Sequence, residues 1–255
     1  MKVATWNVNS LKIRLPQVFN WLSTNQPDVL CLQETKMQDE NFPVDEILDV
    51  GYRPIYSGQK AYNGVALLGK EMGKDLVVAI PNFPDPQKRV LCATYAGIRI
   101  ICIYVPNGQS IESDKFQYKL NWLTALNNWL QAELIKYPKL ILLGDFNIAP
   151  QDSDVHDPEL WKGKVLCSTP ERKAFKDLLE LGLVDSFHLF DHSDKYYTWW
   201  DYRMMAFRRN KGMRIDHILL SNKLSDNCNN FIIDKEPRKH ERPSDHAPVM
   251  VDFSI

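Results

Sequence analysis

A chain of 255 residues, of which 44% are hydrophobic and 25% are charged, has ordinary globular composition and can bury a large core. Its formal net charge of −1 excludes a strongly basic protein whose overall field would attract nucleic acid. No apolar run is long enough to span a membrane, and the first residues lack the apolar stretch of a signal peptide.

Five cysteines are scattered along the chain without a CxxC pair, which argues against a zinc site. Cys31, Cys92 and Cys102 lie within apolar, strand-like runs, so we predict that they are buried thiols. Free thiols are typical of a reducing compartment, and we therefore expect a cytoplasmic protein.

The predicted elements alternate between strands and helices. In the first half we predict strands at 2–8 and 29–34, helices at 14–25 and 42–51, five strands between 52 and 106 (one of them at 76–80), and a helix at 113–137. In the second half we predict a strand from 140, a polar loop at 151–168, a helix within 169–187 that has Thr169 as its N-cap and Gly182 as its terminator, and strands at 213–221, 230–236 and 247–255. No linker interrupts this series. This alternation of strands and helices predicts a single domain over 1–255, in which two sheets pack face to face with helices outside.

The most apolar predicted strand ends on polar residues. Its run of apolar residues is followed directly by Asp145, Phe146 and Asn147. Because side chains alternate along a strand, Asp145 and Asn147 should point to one face and Phe146 to the other. Such a pair could hold a metal, a water or a phosphate, although polar pairs at strand ends also serve as ordinary turn chemistry.

Other predicted strands carry polar groups at one end. These residues are Asn7, Asn9, Gln33, Glu34, Lys36, Tyr104, Asn107, Asp216, Ser244, Asp245 and His246. Each one alone is more typical of a cap or of a satisfied core group. Strand ends of a sandwich cluster in space, however, so together they predict one pocket of acidic and amide groups.

Such a pocket suits a particular chemistry. Hard oxygen ligands, with Glu34 and Asp145 foremost, favour Mg²⁺ or Mn²⁺ over zinc. A histidine oriented by a carboxylate can stabilise charge on a phosphoryl group or help to activate water. These residues therefore predict metal-assisted hydrolysis of a phosphate ester.

A basic and aromatic segment at 201–216 is a second functional candidate. It brings five basic residues next to four aromatic ones: Arg203, Arg208, Arg209, Lys211 and Arg214 with Tyr197, Trp199, Trp200 and Tyr202. This mixture suits phosphate contacts combined with stacking against bases. Taken alone, it is more typical of a solvated surface loop.

Five blocks, WNVNSL, LQETK, GDFN, RIDHILLS and SDHAPV, resemble the signature blocks of the exonuclease III family of AP endonucleases, part of the endonuclease/exonuclease/phosphatase superfamily. They occur in family order, and the resemblance extends from Met1 to Ile255. It implies a four-layer α/β sandwich of two packed mixed β-sheets flanked by helices. It also implies a Mg²⁺-dependent DNA repair nuclease, with Mn²⁺ as a substitute. We expect this nuclease to act as a monomer on double-stranded DNA with abasic sites or 3′ ends, away from membranes.

The resemblance implies which residues bind the metal and the DNA. Glu34 would be the principal metal ligand with Asn7 close beside it, and the further candidates for the metal are Asp145, Asn147, Asp245 and His246. The DNA contacts would come from Asn9, Asn107, Trp199, Trp200, Arg203, Arg208 and Arg209.

The resemblance also implies catalytic roles. Asp145 would orient or deprotonate the attacking water, and Asn147 would hold the scissile phosphate. Tyr104 would donate its hydroxyl to that phosphate, while His246, positioned by Asp216, would contact a phosphoryl oxygen. We expect strands 213–221 and 247–255 to be neighbours, which would bring His246 and Asp216 together. In the alternative, Asp216 pairs with Arg214 and the histidine bonds to local backbone.

The sequence departs from the family pattern at Asn9-Ser10, where relatives often carry Asn-Gly or Asp-Gly. The amide is kept and only the turn is loosened, so we expect activity to survive. Two other functions stay open: a phosphatase of small phosphoesters such as inositol phosphates, and a catalytically silent nucleic-acid-binding module. The basic segment favours a polymeric substrate over the first, and the complete set of catalytic residues argues against the second.

Overall fold

The computed structural model describes residues 1–192 and 195–254. Its strands are β1 (Lys2–Asn7), β2 (Val29–Gln33), β3 (Arg53–Ser57), β4 (Val65–Gly69), β5 (Lys74–Val77), β6 (Val90–Tyr95), β7 (Ile98–Tyr104), β8 (Leu140–Asp145), β9 (Leu183–Asp185), β10 (Asp216–Ser221), β11 (Cys228–Ile233) and β12 (Val249–Phe253). Its α-helices are α1 (Leu11–Asn25), α2 (Val44–Asp49), α3 (Asp114–Lys136), α4 (Pro158–Trp161), α5 (Thr169–Glu180) and α6 (Asn222–Ser225).

The strands form two six-stranded sheets, in the orders β11-β12-β1-β2-β4-β3 and β5-β6-β7-β8-β10-β9. Both sheets are mixed, because β1–β2 and β7–β8 are parallel pairs while the other neighbours are antiparallel. Val3 faces the apolar layer between the sheets, and its neighbour Ala4 faces the helices. Because both faces of each sheet are covered, the central strands consist of nearly continuous apolar residues.

The helices cover the outer faces of the sheets. Trp21 of α1 and Ile47 of α2 pack on the first sheet, whereas Leu126 of α3 and Phe175 of α5 pack on the second. The predicted four-layer α/β sandwich is therefore confirmed. Among the described residues, no helix is both long and apolar enough to cross a membrane.

Several predicted elements differ from the structure at their ends. The strand predicted at 76–80 is β5 at Lys74–Val77, displaced toward the N-terminus. Ser168, not Thr169, is the N-cap of α5: its hydroxyl accepts from the backbone N–H of Glu171, whose side chain accepts from the backbone of Ser168. The helix predicted within 169–187 ends at Glu180, and Gly182, with a φ of +93°, follows its end as predicted; β9 occupies the remaining residues.

The sheet topology gathers the polar strand ends at one edge. The parallel strands β1 and β2 both end there, and the parallel pair β7 and β8 places Tyr104 opposite Asp145. The antiparallel strand β10 begins at the same edge, with Asp216 opposite Asp145. β12 is antiparallel to β1, so the residues before β12, including His246, also lie at this edge.

Candidate active site

Asn7 joins two carboxylates from different sheets. Its amide nitrogen donates to Glu34 Oε1 at 2.9 Å and to Asp145 Oδ2 at 2.9 Å. Its amide oxygen accepts from the backbone N–H of Asn9 at 3.0 Å. Asn7 thus lies beside Glu34 as predicted, but it presents a nitrogen rather than an oxygen to the carboxylates. On the outer side, the Lys36 ammonium lies 2.7 Å from Glu34 Oε2.

Asp145 and Asn147 form a compact unit at the end of β8. Asp145 Oδ1 accepts from the backbone N–H of Asn147 at 2.9 Å, and the Asn147 side-chain nitrogen donates to Asp145 Oδ2 at 3.2 Å. Asn107 donates its amide to Asn147 Oδ1 at 3.0 Å. Phe146 points the other way and packs against Phe175 in the core. The predicted division of these side chains between two faces is confirmed.

His246 is held by Asp216. The histidine Nδ1 lies 2.8 Å from Asp216 Oδ2, and its Nε2 lies 3.8 Å from Asp145 Oδ2. The contact was predicted, but the reason given for it was wrong. β10 and β12 are not neighbours in one sheet; they belong to opposite sheets, and the pair forms across the sandwich. Arg214 does not pair with Asp216, because it is bound to Asp154 and Asp185.

The buried charges alter one another's protonation. Burial raises the pKa of Asp145 to about 7, with a further contribution from Asp216 and in opposition to His246. Burial alone would lower the pKa of His246, but Asp216 and then Asp145 raise it to about 10. Burial, with Glu34 and Asp145 nearby, also raises the pKa of Tyr104 well above its ordinary value. At neutral pH the imidazole is therefore a cation and the phenol keeps its proton.

Asp245 lies beside this cluster and has its own partners. It accepts from Asn9 Nδ2 at 2.9 Å and from Trp199 Nε1 at 2.9 Å. Burial would raise its pKa, but His246 and these two donors together lower it. Asp245 therefore links Asn9, just after β1, to Trp199.

A possible metal site lies where the two sheets meet. Glu34, Asp145 and His246 each offer one ligand atom, and these atoms lie within 4.8 Å of one another. The donor set fits a hard divalent cation, because two carboxylates converge there. Asp245 is not part of this group of three.

The predicted DNA contacts divide between surface and core. Arg203, Arg208 and Arg209 are exposed, and Arg203 pairs with Asp201 at 2.9 Å. Trp199 is only partly buried. Trp200 is fully buried against Phe207, so its predicted place on a DNA-facing wall is wrong.

Arg214, predicted as part of the basic segment, is also fully buried rather than on the surface. Its guanidinium binds two buried aspartates, and the run of basic residues in the sequence does not indicate these partners.

The turn at Asn9-Ser10 is held rather than loosened. Ser10 adopts a φ of +90°, a region that favours glycine, and its N–H donates to the carbonyl of Glu34 at 2.7 Å. Glu34 and Lys36 also have positive φ angles of 53°. Uncommon backbone conformations are thus concentrated around the candidate site, as is typical of functional sites.

Two supporting residues escaped the sequence analysis. The Thr198 hydroxyl accepts the backbone N–H groups of Ile215 and Asp216, both at 3.0 Å, and so fixes the start of β10. Lys119 is fully buried on the inner face of α3. Its spacing from Phe116 and Leu123 places a lysine within the apolar stripe of the helix, which is a signal that could have identified it.

Comparisons with known proteins agree with this geometry. The endonuclease/exonuclease/phosphatase family matches residues 4–246. An exodeoxyribonuclease III from Haemophilus influenzae is 36% identical, covering 99% of this chain and 100% of that protein. The 3′ phosphatase NExo from Neisseria, solved with a product DNA hairpin, has a TM-score of 0.98 and 46% identity over 100% of both chains. An AP endonuclease from Archaeoglobus fulgidus has a TM-score of 0.96 and 38% identity over 100% of both chains.

The fold and the site thus define a phosphoester hydrolase built as a four-layer sandwich, and the chain belongs to the endonuclease/exonuclease/phosphatase family. Within that family it is a nuclease of the exonuclease III and AP endonuclease type.

Proposed function

We propose that this nuclease uses Mg²⁺, with Mn²⁺ as a substitute, to hydrolyse phosphodiesters of double-stranded DNA at abasic sites and 3′ ends. The observation that carries the proposal is the surroundings of Asp145. Its carboxylate meets Asn7, Asn147 and the His246–Asp216 pair in a buried pocket. A divalent cation and a phosphate together complement such a pocket.

The metal would be held by Glu34 and Asp145, with Asn7 orienting both carboxylates through its amide nitrogen. When bound, the ion supplies Lewis-acid stabilisation of charge on the phosphoryl group. His246 suits a different role from the ligand that we predicted. Its Nδ1 is bound to Asp216, which leaves Nε2, 3.8 Å from Asp145 Oδ2, to face a phosphoryl oxygen of the substrate.

The residues of the chain would then divide the catalytic work. Asp145 orients the attacking water and accepts its proton. The His246 cation faces a phosphoryl oxygen, and Asp216 fixes its tautomer. Tyr104 donates a hydrogen bond to the phosphate, since its raised pKa keeps its proton in place. Asn147 holds the phosphate by exchanging its amide bond to Asp145 for one to a phosphate oxygen.

Several observations favour DNA over a small phosphoester. Arg203, Arg208 and Arg209 are exposed and follow shortly after Trp199, which contacts Asp245 at the site. The NExo structure contains a DNA hairpin, and the Archaeoglobus protein is an AP endonuclease. We further infer that residues 1–255 act as one domain, since both halves of the chain supply residues to the same site. We also propose a monomer in the cytoplasm, where the buried free thiols Cys31, Cys92 and Cys102 would stay reduced.

The test uses three fluorescent duplexes, with one abasic site, a 3′-recessed end or a 3′-phosphate, and inositol phosphates as the competing substrate. Cleavage is expected with Mg²⁺ or Mn²⁺ and not with chelator. Glu34→Ala should abolish most cleavage and also weaken Mn²⁺ binding measured by electron paramagnetic resonance. Full cleavage by Glu34→Ala in chelator would overturn the metal assignment. Turnover of inositol phosphates with the duplexes left intact would instead support the phosphatase.

A further inference from the structure

A buried ion pair lies beneath the asparagines of the site. Lys119 of α3 and Glu171 of α5 are both fully buried, with Nζ and Oε1 2.5 Å apart. Burial lowers the pKa of Lys119, and the facing carboxylate opposes that change. A buried ammonium is costly unless each of its donors has an acceptor. The acceptors of Lys119 therefore indicate what it does.

Lys119 reaches both loops that carry the site asparagines. Its ammonium donates to the backbone carbonyl of Asn147 at 2.6 Å and to that of Asn107 at 3.2 Å. With the bond to Glu171, all three ammonium donors are used. The side chains of the same two asparagines bond to each other at 3.0 Å. One cation thus holds the backbones of a pair whose side chains meet in the site.

Glu171 fixes this cation to a third segment. Its Oε1 accepts from the backbone N–H of Leu166 at 3.0 Å, and its Oε2 accepts from that of Ser168 at 3.1 Å. The loop around Gly108 packs against the stem of Lys119, since a Cβ at this glycine would lie 3.3 Å from Lys119 Cδ. Three segments that are distant in sequence therefore meet on one ion pair.

The backbone conformation of Asn147 sets the direction of its side chain. Its φ of +49° lies in the left-handed region, which asparagine adopts more readily than most residues other than glycine. In this conformation its side-chain nitrogen bonds to Asp145 and to the carbonyl of Val105. The bond from Lys119 to the Asn147 carbonyl therefore acts on the residue whose conformation aims the amide.

We propose that Lys119, anchored by Glu171, is a positioning residue for the Asn107–Asn147 pair and, through it, for the phosphate of the substrate. This inference rests on the proposed function, in which Asn147 holds the scissile phosphate. Lys119 does not reach the substrate; it acts through two backbone carbonyls. If the ion pair were purely structural, its loss would lower stability and turnover together. If it positions the asparagines, turnover should stay low even when stability is restored.

Three variants separate these roles. Lys119→Met removes the ammonium and leaves the buried Glu171 carboxylate without its partner. Lys119→Met combined with Glu171→Gln also removes that negative charge. The matched control is Glu133→Gln, on the same helix, whose carboxylate pairs with the buried Arg99 at 2.8 Å. Each is assayed with Mg²⁺ on the 3′-recessed and 3′-phosphate duplexes, and each is melted.

Lys119→Met should lower kcat by about 10²-fold with KM changed by less than a few fold, because a small misplacement of a positioning group affects the reaction more than binding. The double variant should regain melting temperature without regaining kcat, and the control should lose melting temperature while keeping kcat. Hydrogen exchange should rise at 105–110 and 146–150 in the Lys119 variants and not in the control.

Recovery of kcat together with melting temperature in the double variant, or unchanged exchange in the two loops, would overturn the proposal. If Lys119→Met does not fold, Glu171→Gln alone keeps the ammonium but weakens its anchor, and the same split between kcat and KM is required of it. If the native protein cleaves no duplex, the proposed function has failed, and the exchange measurement still decides whether Lys119 orders the two loops.

Discussion

Two buried clusters of similar residues flank the start of β10 and behave in opposite ways. The site cluster consists of Glu34, Asp145, Asp216 and His246. The arginine cluster consists of Asp154, Asp185, Arg214 and His217. Each contains two aspartates and a histidine, and the aspartates and histidines of both are buried. Burial alone therefore does not explain how they differ.

The arginine cluster contains a fixed cation that contacts both of its aspartates. Arg214 lies 2.6 Å from Asp154 Oδ1 and 2.7 Å from Asp185 Oδ2. His217 Nδ1 lies 2.9 Å from the guanidinium, and its Nε2 lies 2.9 Å from the carbonyl oxygen of Ile148. Each aspartate is thus paired directly with the guanidinium.

The site cluster has no guanidinium. Its three carboxylates face the imidazole of His246, and Lys36 contacts Glu34 at the outer edge. The pKa values record the difference: burial raises that of Asp145 to about 7, whereas at Asp185 the Arg214 guanidinium overcomes burial and holds the pKa well below its usual range. A cluster whose aspartates are both paired with a guanidinium stabilises the fold, whereas one whose carboxylates share a single histidine is suited to bind a cation and react.

The largest expected effect tests the site cluster directly. Asp145→Asn keeps the shape of the side chain and removes its charge and basicity. Turnover on the duplex substrates should fall by about 10²-fold or more, as expected for loss of a general base. Without metal, the variant should melt at the same or a higher temperature than the native protein, because an unfavourable buried charge has been removed. Near-native turnover across neutral pH would make Asp145 a structural residue of the strand end.

The next effect tests the arginine cluster. Arg214→Met leaves two buried aspartates without their cation and should lower the free energy of unfolding by about 3–5 kcal/mol in urea titrations. Arg203→Met is the matched control, since Arg203 pairs with Asp201 on the surface. That substitution should change stability by less than about 1 kcal/mol. Equal losses in the two variants would mean that burial does not distinguish these pairs.

The arginine cluster also predicts how stability depends on acid. The pKa of Asp185 is lower in the folded chain than the ordinary value of about 3.9 expected when unfolded. Below about pH 4 the unfolded chain therefore binds more protons, and stability falls as the pH falls further. Asp185→Asn should flatten this decline between pH 5 and pH 3. An unchanged slope would show that other carboxylates cause it.

The sequence predicted the site cluster far better than the arginine cluster. Glu34 and Asp145 each come at the end of an apolar run, so their positions at strand ends can be recognised from the neighbouring residues in the sequence. Arg214 lies in a run of basic residues, and nothing nearby in the sequence shows that Asp154 and Asp185 are its partners. Burial depends on contacts between distant segments, so the same limit explains why Trp200 was misplaced.

The Asp216–His246 contact shows a related limit. The pair was expected from the order of the blocks, but sequence order does not reveal which sheet a late strand joins. β12 returns to the first sheet beside β1, and only the packing of the two sheets brings the pair together.

A double-mutant cycle tests whether this pair acts as one unit. His246→Ala should slow single-turnover cleavage by about 10²-fold, and His246→Ala with Asp216→Ala should be about equally slow, because the second loss removes nothing further. Asp154→Ala, combined with His246→Ala, is the control from the neighbouring cluster, and its effect should be independent. Simple additivity of the Asp216 and His246 losses would mean that the aspartate does not act through the histidine.

The smallest expected effect concerns the exposed counterparts of Arg214. Arg208 and Arg209 have side chains in solvent, so they should contact DNA phosphates without reading sequence. Replacing both with alanine should weaken DNA binding uniformly across sequences and reduce the salt dependence of the binding constant by up to about two phosphate contacts. Turnover at saturating DNA should change little, because neither residue belongs to the site cluster.

The control for this variant lies at the opposite end of β8. Lys136 and Lys139 are exposed and precede the strand, whereas the site follows it at Asp145. Replacing both lysines removes the same charge from the protein, so any effect of net charge alone would appear equally in the two variants. A reduced salt slope in the arginine variant only would assign the contacts to the basic segment. Equal slopes in both variants would mean that the segment is an ordinary solvated loop.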